Sequence, residues 1–498
     1  MAPRRSHRLR ALLLGAGLLL LLVAARGTPA LLVRHESSGL VLTTVPVGQG
    51  PRFGAIDGRT EHAFVVDQGG TQSATVATTG AGTSLVTSAS RPADISMIDL
   101  RGGALVRTIA LTTDPTGIAV DERHGRAIVI GAAGLVPVLD TTTGALVATP
   151  VVAGGADVLG VDAVSGRAVA ASYTAGTAST IDTRTGRLLR VVRVGQGAVG
   201  VLVDEQTHRA FVESRPGGYG TGARGSISVI DTTSGALLRH VTVGLSPDGM
   251  ALATGEGRVY VLNGRDGTVS VLDVRSGALV HTIALTAGGF PSGPGTIVVD
   301  ERTHRAFVDH GWIHVFDTRT GAIVALHKVS TVPGPLGLDA RTQRVFAATY
   351  RDGHIRMLDG TSGRLLRTID VGIAPQDLEV DEAARRVYVV TPGPVLATAP
   401  LGAVGPTYTR GPGRVWVLDA RSGAVLERTN VGMAPVGVVT TDPPLKRALV
   451  LNMAGLVRAP DPWAWVPTTI RRHAPFIPPS PQSFTSVDGS VSILDTSR

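Results

Sequence analysis

An aspartate that ends a short apolar run returns nine times along this chain, and the first eight open a glycine turn. It stands at Asp99, Asp140, Asp182, Asp231, Asp273, Asp317, Asp359, Asp419 and Asp495. Successive spacings are 41, 42, 49, 42, 44, 42, 60 and 76 residues. A unit near 42 residues with occasional insertions lies in the range of propeller blades, where each unit buries its faces against its neighbours.

The unit is clearest at Val299-Asp300-Glu301-Arg302-Thr303-His304-Arg305-Ala306-Phe307-Val308, followed by His314-Val315-Phe316-Asp317-Thr318-Arg319-Thr320-Gly321. It divides into four strand-like pieces, exemplified by 117–120, 209–212, 228–231 and 236–239. The pieces are short, rich in Val, Ile and Leu and without clean polar alternation, which predicts strands buried on both faces. In Asp231-Thr232-Thr233-Ser234-Gly235 the carboxylate can accept backbone N–H groups ahead of it. The glycine can then take the left-handed conformation that ends a type I turn with a bulge. Gly144, Gly186, Gly277, Gly321, Gly363 and Gly423 recur at that place. No 3.6-residue periodicity appears, and 63 Gly with 30 Pro suit many tight turns.

The ends complement each other. Residues 490–498 stop partway through a unit, with a fourth strand owed, and 38–48 match the fourth-strand pattern. The expected fold is therefore an all-β, single propeller of about nine four-stranded blades, closed by the N-terminal strand pairing with the C-terminal blade. Such closure leaves no exposed sheet edge at the seam. Eight blades plus a distorted unit is the alternative, because most propellers have four to eight.

Before the ring, Arg4 to Arg10 precede an apolar run from Ala11 to Ala25 that Arg26 ends. Fifteen apolar residues suit a signal-peptide core better than a membrane span of about 20. Residues 1–30 are thus expected to be a signal peptide or N-terminal membrane anchor, 31–37 a linker and 38–498 the propeller. The ring is expected outside the cytoplasm, secreted or in the cell envelope. The formal net charge is +8, but five arginines of residues 1–30 leave +3 for the rest. No clustered basic stripe marks a nucleic-acid interface, so no nucleic-acid partner is expected, and membrane contact only through an uncleaved N-terminal segment. The chain has no cysteine, which excludes disulfides, thiolate metal sites and cysteine nucleophiles.

The stretch 228–252, SVIDTTSGALLRHVTVGLSPDGMAL, and its counterparts over roughly 38–498 resemble the repeat of YncE-like, YVTN-repeat β-propellers. The signature tetrad survives in degenerate form as Arg-Val-Tyr-Val at 258–261 and 386–389. The resemblance implies the fold and agrees with an extracytoplasmic place. It implies little chemistry, because propellers host unrelated functions.

Insertions fall at one point of the unit, between second and third strands, at 68–94, 214–225, 391–413 and 453–489. Recurrence at one connection puts all four on one face, where repeat scaffolds place binding. The last holds Trp463, Trp465, Arg471, Arg472, His473, Phe476 and Phe484 among prolines, in a chain with 4% aromatics. Aromatic and arginine side chains are favoured at interfaces, so these residues, with Tyr408 and Arg410 of the neighbouring insertion, are the candidate binding residues. A cap that packs its aromatics on itself is the competing reading.

His124, His208 and His304 are read as one repeat position used for turn packing. His310 and His354, near the insertion face, are the pair worth watching for metal or catalysis. The recurring acids Asp121–Glu122, Asp204–Glu205, Asp300–Glu301 and Asp381–Glu382 read as turn chemistry. No catalytic residue, metal ligand set or cofactor is predicted. The function expected is a binding module holding a protein, peptide or polysaccharide, more a non-enzyme than an enzyme. A lactonase-like hydrolase or lyase with an axial metal is the alternative.

Overall fold

The computed structural model describes residues 40–497 except 49, 72–73, 80–81, 88–89, 113, 218–221, 286–294, 329–333, 350–351, 373, 394, 402–404, 411, 441–445, 454, 459–483 and 488. Within the hairpins inserted in the first, eighth and last blades it describes only the backbone. No described residue is helical, and Gly39–Arg498 form one compact unit.

Nine antiparallel sheets of four strands each make nine blades. The first blade runs Pro51–Asp57, His62–Asp67, Asp94–Asp99 and Ala104–Ala110; the fourth runs Ala198–Asp204, Arg209–Ser214, Arg224–Asp231 and Leu237–Leu245. The last takes Pro435–Thr440, Arg447–Asn452 and Ser490–Asp495 from the C-terminal end and Val41–Pro46 from the N-terminal end. Val41 stands opposite Leu494 and Pro46 opposite Ser490. Asp495 donates its N–H to Leu40 O (2.8 Å), and Val47 donates to Gly489 O (3.0 Å).

The core is not central. Nine apolar clusters fill the nine gaps between neighbouring blades. Phe211, Val229, Val259, Val261 and Leu272 fill the gap between fourth and fifth blades. Val65, Ile98, Leu449, Leu451, Val491 and Ile493 fill the gap between last and first. Second and third strands are buried on both faces as expected, but fourth strands are not. Leu105, Val106, Leu237, Leu238, Leu279, Val280, Val425 and Leu426 are exposed. Blades diverge from the axis, so the outermost strands stand too far apart to cover one another.

The turn between third and fourth strands forms as its letters require. Asp231 Oδ1 accepts the Ser234 N–H at 2.9 Å, Gly235 sits at φ 69°, and the register shifts between Val229 and Ile230. The turn between first and second strands also ends on a left-handed residue, filled by Glu61, His208, His304, Gln343, Arg385 and Lys446 in six blades and by Gly125, Gly166 and Gly257 in three. This corrects one expectation. His124 comes one residue before that slot, because Gly125 fills it, so His124 does not share the position of His208 and His304.

Closure depends on the N-terminal strand, and Leu40 anchors it, buried among Tyr388, Val390, Val438, Val450 and Leu494. Leu40→Ala should cost about 2–5 kcal/mol, the usual range for emptying a leucine site. Denaturant unfolding monitored by tyrosine and tryptophan fluorescence checks this; a loss below about 1 kcal/mol would mean the strand is not held by that contact.

Candidate functional site

The disc has two unlike faces. One carries the turns joining first to second and third to fourth strands. The other carries the links between blades and the loops joining second to third strands, which bear the insertions.

The turn face is occupied by its own bonding. Arginines that open second strands pair with the aspartates that end third strands: Arg126–Asp140 at 2.9 Å, Arg167–Asp182 at 2.7 Å, Arg209–Asp231 at 2.7 Å and Arg258–Asp273 at 2.9 Å. The paired acids are likewise committed. Asp300 accepts the N–H of Arg302 and the hydroxyl of Thr303 within its own turn. The glutamates reach back to the preceding blade: Glu122 accepts the Gly58 N–H, Glu205 that of Ala163, Glu301 that of Gly255 and Glu382 that of Ala340. His208 Nδ1 and the Thr232 hydroxyl meet the buried Asp162 at 2.9 and 2.5 Å. The fifth blade has Ala253 where most carry the turn aspartate, and Glu256 replaces it, meeting His304 Nδ1 and the Thr318 hydroxyl at 2.7 Å each. Burial pushes Asp231 up, but hydrogen bonds from Thr233 and Ser234 and the Arg209 guanidinium outweigh it and bring the pKa to about 2. Groups engaged in this way, repeated from blade to blade, hold the ring together.

The insertion face is less uniform. In the first blade Ala74–Thr79 pairs with Gly82–Thr87, above a short ladder of Gly70–Thr71 with Ser90–Arg91. In the eighth, whose core strands are Asp377–Asp381, Arg386–Thr391, Pro412–Asp419 and Val425–Met433, Val395–Leu401 pairs with Gly405–Arg410. In the last, Gly455–Arg458 pairs with Phe484–Val487. Eighth, last and first blades are consecutive around the closed ring. The backbone of Gly405–Arg410 runs beside Gly455–Arg458, and Phe484–Val487 runs beside Ala74–Thr79. Three hairpins thus stand side by side over one arc. The 214–225 insertion instead lengthens the third and fourth strands of the fourth blade, which run eight and nine residues.

Tyr408 lies on the eighth-blade hairpin opposite Thr398, and Arg410 opposite Val395. Trp463, Trp465, Arg471, Arg472, His473 and Phe476 lie outside the described residues, between the two strands of the last-blade hairpin. Phe484 opens the return strand, opposite Arg458. His310 and His354 are not brought together in one cluster by the bonds they make. His310 is buried, with Nε2 on Gly264 O. His354 sits 3.4 Å from Asp352, which also holds Arg356 at 2.7 Å. Among the described residues no group of three or more His, Asp or Glu is placed to hold a metal ion.

What residue patterns did not reveal is a set of buried acids beneath this face. Several second strands end on a polar residue that catches a blade link. Asp67 Oδ2 accepts the Gly48 N–H at 3.1 Å and Asn263 that of Gly244 at 3.0 Å, each from the link entering its own blade, whereas Asp309 accepts the N–H of Gly334, in the link leaving for the seventh blade, at 3.2 Å. Burial pushes Asp309 up to about 6 and Asp248 to about 7. Glu213 is raised to about 8 by burial and then by the charge of Asp248, with Arg215 offsetting part. A polar residue closing an otherwise apolar second strand was the available signal, but it reads like the start of an ordinary loop.

No protein-family model matches the chain, and no curated protein matches it in sequence. Among solved structures it is similar to BamB from Moraxella catarrhalis, at 18% identity and a TM-score of 0.45, covering 66% of this chain and 91% of that one. It is also similar to the computationally designed protein Ika8, at 18% identity and a TM-score of 0.46, covering 64% of this chain and 94% of that one. Identity at this level leaves the ligand open. Among the described residues no helix is long and apolar enough to cross a membrane.

The two faces impose opposite pH dependences. Asp67, Glu213, Asp248 and Asp309 hold protons in the fold that the unfolded chain has released above about pH 4. Their contribution falls as pH rises from there through about 6 to 8 and is then flat. The turn-face aspartates, lowered as Asp231 is, lose theirs as pH falls below about 4. Thermal midpoints should therefore peak near about pH 4–5 and decline toward pH 8. Glu213→Gln should flatten the declining limb; midpoints flat or rising from pH 5 to 8 in the unsubstituted protein would contradict the assignment.

Proposed function

We propose that this chain is an exported propeller of the YncE-like, YVTN-repeat kind whose hairpin-bearing face holds a protein, peptide or polysaccharide partner, with the ring as a rigid platform. The observation that supports this is the grouping of three inserted hairpins on consecutive blades. Insertions tolerated at random would scatter around nine blades. Hairpins lying side by side make one extended surface, and loops on a rigid scaffold are where binding residues concentrate. In this reading Trp463, Trp465, Arg471, Arg472, His473 and Phe476 supply the main contacts, with Tyr408 and Arg410 beside them. Residues 1–30 serve as signal peptide or anchor, 31–37 as linker and 38–498 as the ring. Nucleic acid is not a partner, and a membrane is one only through the N-terminal segment where it stays uncleaved.

The test is capture of partners from a cell-envelope extract, and binding on peptide and glycan arrays, by residues 31–498 and by the same protein lacking 460–481. A variant carrying Arg319→Glu on the turn face serves as control. Trp463→Ala with Trp465→Ala should weaken binding roughly 30-fold, the scale of one hot-spot residue. The deletion should abolish binding, and the control should leave it intact. Undiminished binding without 460–481 would sink the proposal.

A further inference from the structure

The outer strand of the fourth blade, Leu237–Leu245, is the last in its sheet, and no described strand pairs with its outer edge. Such an edge offers a row of unpaired N–H and C=O groups to any extended chain. Several other blades blunt it. The second-blade outer strand is three residues long, the last-blade one ends on Pro46, the seventh-blade one ends on Asp370 and the eighth-blade one carries Glu427. The fourth-blade strand runs nine residues with neither proline nor acid. It is lengthened by the 214–225 insertion, which stands outside the hairpin arc. It is also held firmly as a template. Its ladder with the third strand runs from Leu237 opposite Ile230 to Leu245 opposite Arg224. Arg239 Nε donates to Ser276 O of the fifth blade at 2.9 Å, and Gly244 donates its N–H to Asn263.

Charge sets the partner. Leu237, Leu238, Arg239, His240 and Thr242 are exposed, and so are Arg190 and Arg193 on the outer strand of the third blade, Leu188–Arg193. Both sit close by. A Cβ on Gly235, in the fourth-blade turn, would lie 2.9 Å from Arg190 Cβ. A Cβ on Gly195, just beyond Arg193, would lie 3.8 Å from His240 Cε1. The outer strands of third, fourth and fifth blades, the last being Leu279–Ala284, hold three arginines, two histidines and no acid. The aspartates that end their third strands are matched already, by Arg167, Arg209 and Arg258. A second copy of the chain is a poor occupant, because pairing two such edges sets cation against cation, and like charges across a ladder destabilise it. We infer that the outer edge of the fourth blade accepts an extended acidic peptide as a fifth strand. Backbone hydrogen bonds hold the segment, its apolar side chains cover Leu237 and Leu238, and its carboxylates meet Arg190, Arg193 and Arg239. This edge lies apart from the hairpins of the eighth, last and first blades and works whether or not they hold a partner.

Fluorescence anisotropy with a labelled peptide of alternating valine and glutamate, added to the intact protein, tests the edge. The peptide should bind, its lysine counterpart should not, and added salt should weaken binding. Arg190→Glu with Arg193→Glu, both exposed and outside the fourth blade, should weaken it about tenfold. On binding, hydrogen exchange should slow across 237–242 and stay unchanged across 279–284. Methylating every peptide nitrogen keeps charge and side chains but removes the N–H groups, and should abolish binding, as strand addition requires. Removing 460–481 should leave the peptide affinity unchanged, which separates this edge from the hairpin surface. No binding at millimolar peptide, equal binding of the lysine or methylated peptide, indifference to the charge reversal, or slowed exchange away from 237–242 would each overturn the inference. Protection of 237–242 that grows with protein concentration, without peptide, would assign the edge to a second copy and overturn it too.

Discussion

A ring of wedges stands only if each gap between neighbours is filled, and here the third residue of each second strand does most of the filling. Six blades place an aromatic there: Phe64, Phe211, Tyr260, Phe307, Phe346 and Tyr388, each essentially buried. Ile128, Val169 and Leu449 occupy the place in the other three. The gap between third and fourth blades is correspondingly lined by Ala171, Ala178, Ala198 and Ala210, so smaller side chains let the blades approach. Tyr260 brings a hydroxyl into this packing and satisfies it on Glu256 at 3.0 Å, as a buried tyrosine must. Every other feature of the ring presupposes this filling, because blades at the wrong distance could not pass the glutamate and threonine bonds from one turn to the next.

Those bonds explain why the two faces can differ so much. On the turn face some side chains serve two blades at once, as Asp162 does in accepting the Ser165 N–H of its own turn while meeting His208 and Thr232 of the next blade, so a lengthened turn there would break contacts in two blades. On the opposite face the constraint is narrower: a polar residue at the end of a second strand meets one N–H of the incoming link, as Asp67 meets Gly48 and Asn263 meets Gly244. A loop that departs just beyond that residue disturbs nothing else. The first blade shows it plainly, since 68–93 leave and return between Asp67 and Asp94 while the four core strands keep their register. Insertions collect where the ring has least to lose, and a surface able to recognise a partner is built from what collects.

Much of this was legible in the residues, for a physical reason. The repeat, the glycine turn and the complementary chain ends are local patterns, and each carries its cause in its letters: a left-handed glycine at Gly235, a missing strand after Asp495. The misplaced histidine shows the limit. His124 and His208 follow similar acids and precede similar arginines, but the slot they were assigned is defined by φ, and Gly125 takes it in one blade while His208 takes it in another. Exposed fourth strands were not legible either, because Leu237 and Leu238 are the same letters as a buried pair and only the divergence of the blades uncovers them. The raised acids were hidden in the same way. Glu213 lies within Arg209–Ser214 and Asp248 in the next blade, and nothing in the order of residues says that they face each other across a gap.

The arc of hairpins adds a consequence that no single repeat contains. Eighth and last blades belong to the end of the chain and the first blade to its beginning, so the last and first hairpins are neighbours only because Val41–Pro46 has joined Ser490–Asp495. That pairing brings together residues 448 positions apart, as in the contact of the Thr44 and Ser492 hydroxyls. A closure of this length carries the largest chain-entropy cost in the fold. It is repaid by Val45, Val47, Val491 and Ile493 entering the gap between last and first blades. A surface shared by Phe484–Val487 and Ala74–Thr79 therefore exists only in the closed ring. Whatever loosens the seam dismantles that surface before it unfolds a blade, and a partner spanning both hairpins would in turn hold the seam shut.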